Sequence, residues 1–155
     1  GSEMCIRDRV WRAWTDAGHL AKWWGPAHMS ARIEQNDLRP GGMFHYALEA
    51  GGATQLWGRF IYRRIEPPRL LEFVSSFSDE QGGIARAPFA GNWPLEMLTR
   101  VSLDEQDGRT TLTVSSIALN ASDEERATFA EGYSSMTQGW GGTLDRLAAL
   151  LEEIA

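Results

Sequence analysis

The chain has 155 residues, 43% hydrophobic and 23% charged, enough apolar material for one globular domain with a core of its own. A formal net charge of −6, with Lys22 the only lysine, argues against a general nucleic-acid footprint. A single cysteine excludes an internal disulfide framework and a cysteine-built zinc site, and no apolar run approaches the ~18 residues of a membrane span. Without a basic region leading into an apolar run, the expectation is a cytoplasmic protein with neither nucleic acid nor membrane as partner.

Gly1-Ser2 reads as the remnant of a cleaved tag, and EMCIRDR shows no helix or strand period. Residues 1–9 are therefore set aside as a remnant of tagging or sequence assembly, and the domain is expected over 10–155. RVWRAWTDAGHLAKWWG then predicts two short helices. Val10, Trp11 and Trp14 give the spacing of the first; Thr15 or Asp16 ends it and caps the second, which carries Leu20, Trp23 and Trp24. Gly25-Pro26 stops the second helix, because a proline disfavours helical geometry in the residue before it.

The period then changes to two. SARIEQNDLR is a strand followed by the turn PGG, and MFHYALEA places Phe44, Tyr46 and Leu48 on one face. TQLWGRFIYRRI is the third strand, and LLEFVSSF the fourth, with Leu71, Phe73, Ser75 and Phe77 on one side. After a loop holding EQGG, RAP and GNWP, LEMLTRVSL and TTLTVSSIAL form a hairpin about Asp107-Gly108. Short turns between successive strands predict an antiparallel meander. Ser122 and Glu125 form a capping-box pattern, and from Phe129 to Ile154 apolar residues recur in steps of three and four. That stripe predicts one long helix, which the sheet must wrap if the stripe is to be buried. The fold class is α+β.

The blocks VWRAWTDAGHLAKWWGP, DLRPGG, IEPPRLLEF, WPLEM, DGRTTLTV and GWGGTLDRLAALL, in this order, resemble the activator of heat-shock-protein-90 ATPase homologue-like family of the START-like, or SRPBCC, superfamily. The resemblance covers roughly Val10 to Leu151. It implies a helix-grip fold: a curved antiparallel sheet around the long C-terminal helix, with two short helices near the N-terminus. It also implies a first strand before those helices, which the residues before Val10 do not show. The native first strand is read as missing or replaced. The exposed sheet edge this leaves predicts association with a second copy.

The resemblance further implies a hydrophobic cavity between sheet and long helix. The residues expected to line it are Trp24, Phe44, Tyr46, Phe73, Ser75, Met97, Thr99, Tyr133, Met136 and Trp140, each of which also suits plain core packing. Tyr46, Ser75, Thr99 and Tyr133 stand in otherwise apolar registers, so each needs a hydrogen-bond partner or a wet or ligand-filled space. Of Trp23 and Trp24, the second is read as the inward one. Gly132, Gly139, Gly141 and Gly142 predict either close backbone approach or a kink at the cavity mouth.

Catalytic signatures are sparse. There is no G-x-S-x-G elbow, P-loop or dinucleotide fingerprint, and His19, His28 and His45 lack ligand-like spacing. No cofactor or metal is expected. His45 is read as solvent-facing or structural, and Glu96 and Arg100 as partners for neighbouring strands. Three functions remain in competition: binding of a small hydrophobic molecule, catalysis of cyclase, hydrolase or isomerase type in the same cavity, and stimulation of a chaperone ATPase.

Overall fold

The computed structural model describes residues 6–26, 28–88 and 91–153. The first helix, α1 (Ile6–Thr15), starts four residues before Val10. Ile6 is the only apolar residue among residues 6–9, too little for a period to show in the sequence. Val10, Ala13 and Trp14 form its buried face. Asp16 caps α2 (Ala17–Trp23) by accepting from the His19 N–H at 3.1 Å. The His19 ring lies 2.6 Å from the same carboxylate, and this contact is the main cause that holds the Asp16 carboxyl below its usual pKa.

Six strands follow: β1 (Ser30–Asn36), β2 (Met43–Ala50), β3 (Ala53–Glu66), β4 (Leu70–Ser78), β5 (Glu96–Gln106) and β6 (Arg109–Leu119). They pair in sequence order, all antiparallel, so β1 and β6 are the edges among the described residues. The register stacks inward residues across neighbouring strands: Phe44 opposite Phe60, Phe60 opposite Ser75, Phe73 opposite Thr99, and Thr99 opposite Ser116. Because side chains alternate along a strand, these rows share one face of the sheet.

The expected single C-terminal helix is divided. α3 (Asp123–Glu131) opens with a complete capping box from Ser122 and Glu125, and α4 (Tyr133–Glu153) follows after Gly132. Hydrogen bonds from Gly132 N to Thr128 O and from Met136 N to Gly132 O, both 3.0 Å, carry the chain through the break. The reason for glycine here is contact. A Cβ at Gly132 would stand 2.7 Å from the Trp93 ring, whereas Gly139, Gly141 and Gly142 face open space.

The main core joins α1, α2, the inward sheet face and the second half of α4 through Leu147 and Leu150. A smaller cluster of Ala87, Trp93 and Phe129 gathers Phe77, Met97, Ala118 and Met136 around it. Among the described residues no Cα of α4 comes within 8 Å of a strand Cα. The helix is gripped through large side chains, and the space so left is the cavity described next.

Candidate functional site

The corner after α2 positions one wall. Trp23 is fully buried, and its indole N–H donates to Ala13 O at 2.8 Å, tying α2 to α1. Trp24 already has extended backbone, φ −68° and ψ 132°, so its side chain leaves the helix on a different course. Gly25 follows at φ 99°, where a Cβ would meet Leu48 at 2.7 Å. Arg146 of α4 secures the turn. Its Nη1 lies 3.0, 2.9 and 3.0 Å from the carbonyl oxygens of Gly25, Pro26 and Met29, and its Nη2 3.2 Å from that of Lys22. The guanidinium thus satisfies the Lys22 carbonyl, which the last turn of α2 leaves without a helical partner, and reaches three carbonyls of the turn beyond it.

Between α4 and the sheet lies a cavity of about 700 Å³. Eight residues named from the sequence line it: Trp24, Tyr46, Phe73, Ser75, Met97, Thr99, Met136 and Trp140. Trp24 stands among aromatic rings, with centroids 5.1 Å from Phe60, 5.5 Å from Trp140 and 5.8 Å from Tyr46. Two of the expected lining residues are elsewhere. Phe44 is fully buried beneath the wall, covered by Tyr46 and Phe60 with centroids 5.1 and 4.9 Å away. Tyr133, the first residue of α4, is not among the residues that line the cavity, although it stands within about 20° of Trp140 on the helix. Tyr133 is 55% exposed.

Several lining residues escaped the sequence reading. Phe60 lies in a strand where Ile61 and Tyr62 are apolar too, so alternation does not select a face. Trp93 comes from a loop with no period, and Ser116 from a strand rich in hydroxyls on both faces. Glu131, Ser135 and Gly139 line the cavity and are exposed, which places its mouth along this side of α3 and α4.

The hydroxyls of Ser75, Thr99 and Ser116 on the sheet wall satisfy one another. Thr99 Oγ1 and Ser116 Oγ are 2.9 Å apart, and Ser75 Oγ lies 3.5 Å from Thr99 Oγ1 and 3.4 Å from Met97 O. This row across β4, β5 and β6 is a continuous strip of hydroxyls in a mainly aromatic and aliphatic lining. Tyr46 adds a phenol that burial pushes up to about 12, so it stays protonated at neutral pH. The Trp24 indole near it opposes that rise slightly, yet Trp24 Nε1 completes no hydrogen bond of normal geometry.

Other polar candidates lie on the outer face of the sheet. His45 is buried there, stacked on Trp57 at 5.1 Å, with Nε2 3.2 Å from Asp79 O. Arg100 reaches across to β4 and pairs with Glu72 at 2.8 Å. Among the described residues no three His, Cys, Asp or Glu side chains gather as a metal site, and no helix is long and apolar enough to cross a membrane.

A curved antiparallel sheet closed over a C-terminal helix, with an apolar cavity between them, defines a START-like protein of the helix-grip fold. The profile described as "Activator of Hsp90 ATPase homolog 1-like protein" matches residues 5–152, and the chain belongs to that family. Solved structures agree on the fold. A protein from Arthrobacter aurescens is 29% identical with a TM-score of 0.77, covering 96% of this chain and 81% of that one. A protein from Mycobacterium smegmatis is 21% identical with a TM-score of 0.76, covering 97% and 87%. DynU16, from the dynemicin biosynthetic locus, is 23% identical with a TM-score of 0.62, covering 94% of this chain and 43% of that longer one. Among curated proteins none matches the chain.

Proposed function

We propose that the protein binds a small, mainly apolar, ring-containing molecule between the sheet and α4. The observation that carries this reading is the stand-off of α4 from the sheet, which leaves about 700 Å³ walled by Trp24, Tyr46, Phe60, Phe73 and Trp140. That volume lies within the ordinary range for small-molecule sites, ~300–1,000 Å³, and the mix of apolar wall with a few convergent hydroxyls is their usual chemistry. A ligand that binds only the folded state raises the melting temperature as its concentration rises. Thermal shifts across a set of neutral aromatic compounds, with native mass spectrometry of the purified protein, test the reading. Absence of any shift or co-purified mass would falsify it.

A catalytic use of the same cavity has less support. Among the described residues, the titratable side chains lining it are Tyr46, which stays protonated, and Glu131 at the mouth. Neither has a histidine or second carboxylate beside it in the lining to share a proton. Chaperone stimulation, the activity in the family's description, is checked by a chaperone ATPase assay; an unchanged rate removes it.

Assembly is a separate reading, favoured by the contrast between the two sheet edges. β1 carries Arg32 and Glu34 and a register irregularity between Ile33 and Gln35, devices that discourage edge pairing. The strand β6 runs from Thr110 to Leu119 without a charge, glycine or proline. A second copy pairing along β6 would cover it. Light scattering at tens of micromolar should then give a dimer mass that Thr113→Lys with Ile117→Lys abolishes; a monomer in the unsubstituted protein refutes the idea.

A further inference from the structure

Of the described side chains that line the cavity, one bears a formal charge: Glu131, the last residue of α3. Among the described residues no lysine, arginine or histidine lines it. Glu131 is exposed and stands at the mouth, where the lining meets solvent. Deeper in, the polar groups are neutral: the hydroxyls of Ser75, Thr99 and Ser116, and the phenol of Tyr46.

This arrangement treats ligands of different charge unequally. A carboxylate entering the cavity passes a like charge at the mouth, loses hydration among aromatic walls and meets no cation inside. An uncharged ring compound suffers none of these losses, and a hydroxyl or carbonyl on it can join the Ser75–Thr99–Ser116 row. An aromatic amine can bury its ring and keep its ammonium in the mouth beside Glu131. There the indole of Trp93, which lines the same space and packs against Gly132 beside Glu131, can add cation–π attraction.

We propose that the cavity sorts ligands by charge: it accepts uncharged aromatic compounds and aromatic amines, excludes carboxylates, sulfonates and phosphates, and uses Glu131 as the discriminating group at its mouth. The proposal rests on the ligand-binding reading above, and the test separates the two. Three probes share one ring system: 1-naphthol, 1-naphthylmethylamine and 1-naphthoate. Their affinities are measured by calorimetry at neutral pH and low salt, on the unsubstituted protein and on Glu131→Gln.

Naphthol and the amine are expected to bind, with naphthoate weaker than naphthol by about tenfold or more because its charge finds no partner inside. Glu131→Gln, or about 0.5 M salt, should narrow the gap between amine and carboxylate by about threefold, the scale of a solvent-exposed charge interaction. Naphthoate binding as tightly as naphthol overturns the sorting while leaving the cavity a binding site. An unchanged gap in Glu131→Gln overturns the assignment to that residue. Failure of all three probes overturns the sorting and removes the support for a ring-binding cavity as well. Glu131 is exposed, so the substitution tests charge without disturbing the core.

Discussion

Tyr46 and Gly58 face each other across the β2–β3 pair, and the tyrosine occupies the place of the missing side chain. A Cβ at Gly58 would stand 2.3 Å from the Tyr46 hydroxyl oxygen and 2.4 Å from its Cζ. The glycine is therefore part of the cavity wall at one remove, since it lets the phenol ring lie flat against the sheet.

Gly58→Ala should push Tyr46 out of place and cost about 1–3 kcal/mol, the usual scale of overpacking. The cost should fall to near zero when Tyr46→Val is present, because the obstructing ring is gone. Urea denaturation of the two single variants and the double variant measures the coupling. Additive losses would mean that the two residues do not act through each other.

The adjacent tryptophans should respond differently to one conservative change. Trp23→Phe removes the donor to Ala13 O and leaves that carbonyl buried without it, at about 1–3 kcal/mol. Trp24→Phe removes an indole N–H that makes no normal hydrogen bond, so its stability loss should be smaller. Ligand affinity should show the reverse order, because Trp24 is the one in the cavity wall. Denaturation and calorimetry on both variants decide it; equal effects on both readouts count against the division.

Arg146→Met should destabilise the protein by about 2–3 kcal/mol, since it strips charge-assisted bonds from several carbonyls at the α2 corner. Arg146→Lys should recover little, because an ammonium is a point charge and cannot span carbonyls on both sides of the turn as the planar fork does. Full recovery by lysine would show that charge alone matters there. Changed tryptophan fluorescence in Arg146→Met, from the loosened Trp24, provides an independent readout.

Alkaline pH should weaken the fold through its buried phenols. Tyr46 is raised from an ordinary value of 10 to about 12 by burial, and burial also raises Tyr62. Below about pH 10 folded and unfolded chains both keep these protons, so the residues do not affect the pH dependence. Between about pH 10 and 12 the unfolded chain releases the Tyr46 proton while the folded chain holds it, so stability falls by up to about 2–3 kcal/mol from this residue. Tyr46→Phe should lose less stability between about pH 9 and pH 11 than the parent. An identical loss in both would place the alkaline sensitivity elsewhere.

What is local in this protein was open to reading from its residues. The six strands follow from two-residue alternation between turn residues, and the capping box of α3 follows from Ser122 and Glu125, because neighbours in sequence set both. The stripe from Phe129 onward identified a C-terminal helix but concealed its division at Gly132, where a Trp93 side chain 39 residues away in sequence leaves no room for a Cβ. The same limit governs the cavity. Alternation put Tyr46, Phe73, Ser75 and Thr99 on the inward face, but it could not distinguish Tyr46 in the wall from Phe44 buried under it. Nor could it find Arg146 at the α2 corner or Glu131 at the mouth, since a helix pattern gives each only a solvent-side position. Periodicity reports which face a residue takes. How deep it lies on that face, and what stands opposite, depends on how far α4 is held from the sheet, and only packing across the whole chain sets that distance.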